Sequence, residues 1–297
     1  MTSEPRPLDL LMIGGMTIDH LADGTSTAGG SAIHIARAAA PRGVRLGVVT
    51  ANGSEAEAQA GLAELQRLAA LVESRSHEHS AAFRHREGPN GRRLSLDHLG
   101  GPVELDATAS DRIFTRAVLY APVADEIPLD ALALWADRER AAILQGWLRT
   151  TDEGAEVRPL RLGALRPELI EALSRFDLLV ASREDLLAES DAPYDQLASL
   201  RRVFGPGPAL VVTDGADGMW LEMALGGSYR GLRRHLAVPW RVQGASTVGA
   251  GDILAAFLAL LPRDTPRSND QWAEGAMRVV AEVLEERASH RSREEED

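Results

Sequence analysis

Apolar runs alternate with amphipathic segments along most of the chain. Leu8 to Ile13 is apolar without polar alternation, which predicts a strand buried on both faces. Ser31 to Ala40 is rich in alanine and isoleucine at helical spacing, so we expect a helix that Ser31 can cap. A second strand is predicted from Leu46 to Thr50, and a second helix from Glu55 to Ala70.

Two polar stretches interrupt this pattern. The stretch from Asp19 to Ala28 is predicted to be a loop. From Glu73 to Leu105, short alternating pieces flank the turn signal Gly88-Pro89-Asn90-Gly91. This second stretch therefore predicts a β-hairpin that leaves the main body of the fold.

The strand–helix rhythm returns in the second half of the chain. Strands are predicted near Ala117 to Pro122, Ala141 to Leu144, Asp177 to Ser182 and Ala209 to Thr213. Helices are predicted near Leu129 to Arg138, Pro167 to Phe176, Tyr194 to Phe204, Ala250 to Leu261 and Gln271 to Ala288. This alternation predicts an α/β fold, a mostly parallel sheet with right-handed crossovers and helices on both faces. We expect residues 1–288 to form one domain and the charged tail, residues 289–297, to be disordered.

Composition excludes several classes of function. The formal net charge of −12 disfavours a nucleic-acid partner, because neutralising phosphates needs a basic face. The absence of cysteine excludes disulfides and thiol nucleophiles. Lysine is also absent, which excludes a Walker A loop, a protein-kinase strand lysine and Schiff-base chemistry. The segment from Met1 to Pro7 has no apolar run, and no stretch reaches the length of a membrane span, so we expect a cytoplasmic protein without a membrane partner.

Small residues before the Ala250 helix predict an anion site. Thr247-Val248-Gly249-Ala250-Gly251-Asp252 leads directly into the apolar run from Ile253 to Leu261. Glycines let the backbone approach a ligand, and the free N–H groups of a first helical turn attract anions such as phosphate. Asp252 would repel that anion unless it accepts a proton nearby, although a carboxylate at a helix start is also common for stability alone.

The late Gly249-Ala250-Gly251-Asp252 motif and the early Gly29-Gly30-Ser31-Ala32 motif together resemble the two signatures of the PfkB, or ribokinase-like, carbohydrate kinases. The likeness extends over nearly the whole chain, including Thr213-Asp214-Gly215-Ala216-Asp217-Gly218, which is similar to the nucleotide-side turn of the family. It implies a three-layer α/β/α fold with a small β-lid, here from about residues 16–28 and 73–105. It also implies transfer of phosphate from ATP with Mg²⁺ to a hydroxyl of a small polyol, sugar or nucleoside.

The resemblance implies a role for each matching residue. Asp252 would be the catalytic base, and the amides of Gly249, Ala250 and Gly251 would hold the γ-phosphate. Asp19, Gly29 and Gly30 would hold substrate hydroxyls. Thr213, Gly215, Gly218 and Thr247 would border the nucleotide. Phosphoryl transfer depends mainly on positioning and charge stabilisation, so the amides and Mg²⁺ can do much of it. Asp252 is the only acid in the motif that could take the proton of the attacking hydroxyl.

The chain departs from the family at two sites. Ser246 stands where many relatives have an aspartate tied to a monovalent-cation site, which argues against potassium activation. Ser182-Arg183-Glu184-Asp185 stands where relatives carry Asn-x-x-Glu, tied to Mg²⁺. Asp185 would then take the indirect metal role, with Glu184 as the alternative. The segment after the last helix is also short, which predicts an open adenine pocket.

Other residues allow more than one interpretation. His34 could face the substrate or end in water, and Trp147 could bind a ligand or pack. Arg149 follows a strand end, where open α/β sheets place ligands, and its guanidinium suits a phosphate or a hydroxyl-rich acceptor. His77, His79 and His85 could form a metal site, but no fourth ligand is evident.

A likeness to the subgroup that includes inositol kinases rests on Phe83 with Gly91-Arg92-Arg93 and on Gln145-Gly146-Trp147-Leu148-Arg149.

The alternative function is a catalytically silent relative that binds a sugar or nucleotide as a sensor or scaffold. An exposed lid edge would allow a homodimer through the lid as well as a monomer.

Overall fold

Seven α-helices and thirteen strands make up the regular structure of the computed structural model, which describes residues 6–88, 91–224, 232–260 and 269–294. The strands are β1 (Leu8–Ile13), β2 (Thr17–His20), β3 (Ser26–Gly29), β4 (Leu46–Asn52), β5 (Leu71–Ser76), β6 (Ala81–Gly88), β7 (Gly91–His98), β8 (Thr115–Tyr120), β9 (Glu139–Ile143), β10 (Leu178–Ser182), β11 (Ala209–Thr213), β12 (Met219–Glu222) and β13 (Arg233–Leu236). The α-helices are α1 (Ser31–Ala39), α2 (Ala56–Leu68), α3 (Ala109–Arg112), α4 (Pro167–Leu173), α5 (Pro193–Phe204), α6 (Ala250–Leu260) and α7 (Asn269–Glu294).

Nine strands form the central sheet, in the order β13-β12-β11-β10-β9-β8-β1-β4-β5. The seven strands from β11 to β5 in that order are parallel to their neighbours, and β12 and β13 are antiparallel. Alternate residues of β1 face opposite layers: Leu10 and Met12 pack with α1, α6 and α7, whereas Leu11 and Ile13 pack with α4 and α5. The predicted three-layer α/β/α fold is confirmed.

A second sheet of four strands, in the order β3-β2-β6-β7, forms the lid. It takes residues 17–29 and 81–98, so the predicted loop from Asp19 to Ala28 is wrong: these residues form most of the β2–β3 hairpin. The predicted excursion from Glu73 also starts too early, because β5 pairs in parallel with β4 in the main sheet. The polar residues of β5 are tolerated there because it is an edge strand. Pro89 and Asn90 of the predicted hairpin turn lie outside the described residues.

Two predicted helical boundaries are also wrong. The helix predicted from Leu129 to Arg138 is a single 3₁₀ turn, Asp130–Ala133. The turn ends at Leu134, which has extended backbone, and Trp135 follows at a φ of +53°. The buried indole Nε1 of Trp135 donates to the carbonyl of Ile113 at 3.1 Å. The helix predicted to end at Ala288 continues to Glu294, since arginine and glutamate favour helix. Residues 295–297 of the charged tail lie outside the described residues.

The antiparallel edge of the main sheet is held by a buried carboxylate. Glu222 of β12 is 2% exposed and accepts hydrogen bonds from Arg201 of α5, at 2.6 Å, and from Arg233 of β13. A buried carboxylate is tolerated when it is paired and hydrogen-bonded. This pairing fixes β13 and thereby the start of the segment that leads to Trp240, which lines a cavity described below.

Candidate active site

A polar cavity of about 560 Å³ lies beyond the carboxyl ends of β9, β10 and β11. Open α/β sheets bind ligands at this edge. The cavity brings together nine of the predicted site residues: Arg149, Asp185, Thr213, Gly215, Thr247, Gly249, Ala250, Gly251 and Asp252. Segments more than a hundred residues apart in the sequence thus meet at one place, as the resemblance implied.

An apolar cavity of about 160 Å³ adjoins the polar one. The two share Thr213, Gly215, Thr247, Ala250 and Gly251. Predicted Gly218 lines only the apolar cavity, together with residues of the segment after β13 and of α7: Val238, Trp240, Val242, Met277, Val280, Ala281 and Leu284. The polar cavity therefore continues into an apolar slot that α7 closes on one side.

The start of α6 is shaped by close packing against α1. Gly249 precedes the helix with a φ of +76°, and a Cβ there would overlap the His34 ring. The N–H of Ala250 donates to the carbonyl of Thr247 at 3.0 Å. The N–H groups of the next residues lie in the first turn of α6, where N–H groups have no carbonyl partner within the helix. These amides and the helix dipole make the cavity wall formed by residues 249–251 attractive to an anion.

Asp252 lies at the same helix start and is held by α1. The Ser31 hydroxyl donates to Asp252 Oδ1 at 2.8 Å. Burial raises the pKa of Asp252 to about 6, although the Ser31 hydrogen bond and the Arg149 charge oppose the increase; the charge of Asp185 adds to it. Ser31 was expected to cap α1, but the N-cap is Gly30 and no side chain caps the helix. The hydroxyl serves Asp252 instead.

Arg149 and Asp185 form an ion pair in the wall of the polar cavity. The Nε and Nη2 atoms of Arg149 lie 2.9 and 2.8 Å from Asp185 Oδ1, and the Ser182 hydroxyl donates to Oδ2 at 2.7 Å. Asp185 is 2% exposed, whereas the Arg149 side chain is 20% exposed. Asp185 therefore holds Arg149 in place, and both of its oxygens are already engaged.

His34 lies one helical turn after Ser31 and packs against the loop that precedes α6. Its Nδ1 is buried, and the described residues provide no hydrogen-bond partner for it. Burial and the nearby Arg287 guanidinium lower the pKa of His34 to about 4, so the ring is neutral near pH 7. Packing against Gly249 is its visible contact, and it lines neither cavity.

Asp19, Gly29 and Gly30 lie at the base of the lid and line neither cavity. Asp19 on β2 pairs across the hairpin with Thr27, and its Oδ1 lies 3.4 Å from Nε2 of His85 on β6. A Cβ at Gly29 would overlap the Asp19 carboxylate. Gly30, at a φ of +90°, fixes the turn from the lid into α1 and so places Ser31 opposite Asp252.

Comparison with solved structures identifies the fold. A pyrophosphate-dependent kinase of the ribokinase family, complexed with a pyrophosphate analogue and myo-inositol, is 18% identical over 93% of this chain and 95% of its own, with a TM-score of 0.70. Adenosine kinase from Schistosoma mansoni is 12% identical over 93% and 94%, with a TM-score of 0.66. Ribokinase from Thermotoga maritima is 12% identical over 93% of both chains, with a TM-score of 0.62.

The chain has the ribokinase fold. The predicted resemblance to that family is thus confirmed at the level of the fold. No protein-family model matches the sequence, and no curated protein matches it. The likeness therefore resides in the three-dimensional structure and in short motifs rather than in extended sequence identity.

The structure also bears on the histidine metal site, the role of Trp147 and a membrane span. No cluster of three or more histidine and acidic side chains that could hold a metal occurs in the part of the chain that the structure describes. His85 contacts Asp19, and His79 stacks on His98 at 5.0 Å. Trp147 is buried in the core, which supports packing. Within the described ranges, no helix is long and apolar enough to cross a membrane.

Sequence reasoning missed three residues around the site. Ser31 was assigned only to capping, and Trp240 and Arg287 were not singled out at all. Trp240 follows β13 and reaches the apolar cavity, while Arg287 reaches the loop before α6 from α7. Neither Trp240 nor Arg287 has a local sequence signal, because both reach the site through tertiary packing. Only the position of Ser31 beside the early glycine motif could have suggested the role of Ser31.

We predict that Asp252 titrates near pH 6 and that Ser31→Ala raises this value. The hydroxyl stabilises the ionised carboxylate, so its removal leaves burial less opposed. Carboxyl-carbon NMR of wild type and variant across pH measures both values directly. As a matched control, Ser174→Ala removes a hydroxyl that follows α4 and donates to the carbonyl of Ile170, and it should leave the midpoint unchanged. A Ser31→Ala midpoint at or below that of wild type would contradict the assignment.

Proposed function

We propose that the protein is an ATP-dependent kinase that phosphorylates a hydroxyl of a small polyol, sugar or nucleoside, with Asp252 as the general base. The observation that carries this proposal is the position of Asp252: its carboxylate lies beside the anion-binding start of α6, is oriented by Ser31, and has a pKa raised to about 6. A base with a pKa just below neutrality is ionised at pH 7 yet still accepts a proton well.

The donor phosphates fit the polar cavity, and the nucleoside fits the apolar one. The amides of Gly249 and Gly251 favour an anion, and the slot lined by Trp240, Val280 and Leu284 offers the apolar faces that a purine base needs. A structural neighbour is described as pyrophosphate-dependent. Pyrophosphate would leave the apolar slot unused, so this slot favours a nucleoside triphosphate as the donor.

Magnesium would accompany the donor and neutralise charge on its phosphates. Carboxylates are the ligands that Mg²⁺ prefers. Glu184 is exposed on the wall of the polar cavity, whereas both oxygens of Asp185 are engaged by Arg149 and Ser182. We therefore assign the indirect metal contact to Glu184, and Asp185 keeps the task of orienting Arg149.

The reaction follows from these positions. The acceptor hydroxyl oxygen forms a bond to the γ-phosphorus as the bond from that phosphorus to the bridging β–γ oxygen breaks, and ADP leaves. The hydroxyl proton passes to Asp252. The amides of Gly249 and Gly251 bind the phosphoryl oxygens, whereas the predicted amide of Ala250 is already engaged by the carbonyl of Thr247. Arg149, which is partly exposed in the cavity wall, adds a positive charge.

The acceptor would lie on the lid side of Asp252. The Asp19 carboxylate can accept hydrogen bonds from the hydroxyls of such a molecule, and Gly29 and Gly30 let the backbone approach it. Structural neighbours are described with myo-inositol and with 2-fluoroadenosine, which supports a polyol, sugar or nucleoside. The lid edge at β7 binds the segment 154–157; a homodimer through the lid would therefore use the β3 edge, and a monomer is the other possibility.

A catalytically silent sugar- or nucleotide-binding protein is the alternative function. It is favoured by the departure at Ser246 and by the engagement of Asp185 with Arg149. Such a protein would bind ATP without transferring its phosphate to any acceptor.

We predict acceptor-dependent ADP release from Mg-ATP, lost in Asp252→Asn. The amide oxygen still accepts from Ser31 but cannot take up the proton, so kcat should fall at least ~10²-fold with little change in ATP affinity. The assay uses a panel of polyols, hexoses, pentoses and nucleosides, each with ATP and with pyrophosphate. ATP binding without turnover with any acceptor would support the silent alternative, and pyrophosphate turnover alone would overturn the donor assignment.

The fold of Asp252→Asn can be checked by its melting temperature. Folding raises the pKa of the Asp252 carboxyl from 3.8 to about 6. The protonated carboxyl therefore stabilises the folded state at low pH, and this contribution is lost as the pH rises from 3.8 to above 6. The neutral amide avoids this cost. The variant should therefore melt at or above the temperature of wild type at pH 7, which separates lost catalysis from lost structure.

We predict that Gly251→Ala lowers activity without lowering stability. A Cβ at Gly251 meets nothing within 4 Å, and this residue lines both cavities, so the methyl would project into space that the donor needs. A displacement of the phosphate by up to about 1 Å should lower kcat/KM for ATP about 10²-fold. Gly163→Ala is the matched control, because its Cβ also meets nothing within 4 Å and Gly163 lines neither cavity. Equal activity of the two variants would remove residue 251 from the donor site.

A further inference from the structure

Arg287 of α7 binds the loop that precedes α6, which we call the phosphate loop (residues 246–249). Its Nη1 donates to the carbonyl of Ser246 at 3.0 Å and to the carbonyl of Val248 at 2.7 Å. Val248 and its two neighbours on the N-terminal side are exposed. One guanidinium nitrogen thus joins two carbonyls of an otherwise exposed loop to the last helix.

These two hydrogen bonds determine which way the loop amides point. In a trans peptide the C=O and N–H groups point in opposite directions, and no described peptide bond is cis. The carbonyls of Ser246 and Val248 are turned toward α7, so the N–H groups that follow them, of Thr247 and Gly249, are turned away from it. Both of these residues line the polar cavity. Arg287 therefore directs two amides toward the site of the donor phosphate.

The same two carbonyls are groups of the kind that bind a cation. Hard cations are bound by carbonyl and carboxylate oxygens. Residue 246 is serine rather than a carboxylate, and a permanently charged guanidinium already binds both carbonyls. The residues present therefore do not fit a monovalent cation at this position.

We propose that Arg287 is a built-in replacement for a monovalent cation: it holds the phosphate loop in its anion-binding conformation and makes phosphoryl transfer independent of K⁺. Its role is positioning, since it contacts the loop from the side of α7. His34 packs against Gly249 on the side of α1, so the loop is fixed between two helices. This inference rests on the proposed kinase function.

The test compares wild type with Arg287→Ala, Arg287→Lys and a matched control, Arg278→Ala. Arg278 is an exposed arginine on the same helix that lines neither cavity. Steady-state kinetics are measured in potassium-free, sodium-free buffer and again with added KCl. Calorimetric titration with ATP gives a second readout that does not require turnover.

Wild type should be equally active with and without K⁺. Arg287→Ala should lose about 10²-fold in kcat/KM for ATP, as expected when catalytic amides are misplaced, and should bind ATP more weakly, with the KM of the acceptor unchanged. Arg287→Lys should recover part of this loss through its positive charge. The double variant Ser246→Asp/Arg287→Ala should regain activity only when K⁺ is present.

Strong K⁺ activation of wild type would overturn the inference, whatever the stability of the variants. So would Arg287→Ala with the ATP affinity and kinetics of Arg278→Ala. A wild type that transfers no phosphate contradicts the proposed function instead, and the effect of Arg287→Ala on ATP binding then still tests the role of the loop.

Discussion

The contact between the start of α1 and the start of α6 is the constraint on which the site depends. The two helices lie on the same face of the sheet, and their first residues meet through the hydrogen bond from Ser31 to Asp252 at 2.8 Å, across 221 positions of sequence. Glycine makes this approach possible, because Gly249 leaves room for His34 and Gly30 turns the chain from the lid into α1. The lid, Asp252 and the start of α6 are thereby placed relative to one another by one packed junction.

Electrostatics at this junction are balanced without lysine. Burial and the charge of Asp185 disfavour ionisation of Asp252, while Ser31 and Arg149 favour it, and the result is a carboxyl that titrates near pH 6. Asp185 in turn fixes Arg149. Arginine supplies the positive charge both in the cavity wall and behind the phosphate loop, where a rigid, always charged group suits a fixed geometry.

The sequence predicted the parts of this structure that depend on local pattern. Buried strands such as Leu8–Ile13 and the helix start at Ala250 have distinct signals, and both were predicted correctly. Errors arose where tertiary context overrides pattern. The polar strand β5 was assigned to the lid because an edge strand and a lid strand look alike in sequence. The helix predicted around Leu129 stops after one turn, where Leu134 is extended and the buried Trp135 has a positive φ.

The same distinction holds for the site. Asp252 and the glycines around it could be proposed from the sequence because they are adjacent in one short motif. The pairing of Asp185 with Arg149, the apolar slot around Trp240 and the reach of Arg287 to the phosphate loop are long-range contacts. No spacing rule encodes them, since each depends on how layers that are distant in sequence pack together.

The pH dependence of kcat/KM for the acceptor tests most directly whether Asp252 is the base. If it is, the wild-type rate falls about tenfold for each pH unit below a midpoint near pH 6, and this acidic limb is absent from the residual activity of Asp252→Asn. A wild-type profile that stays flat through pH 6, or an identical limb in the variant, would contradict the account.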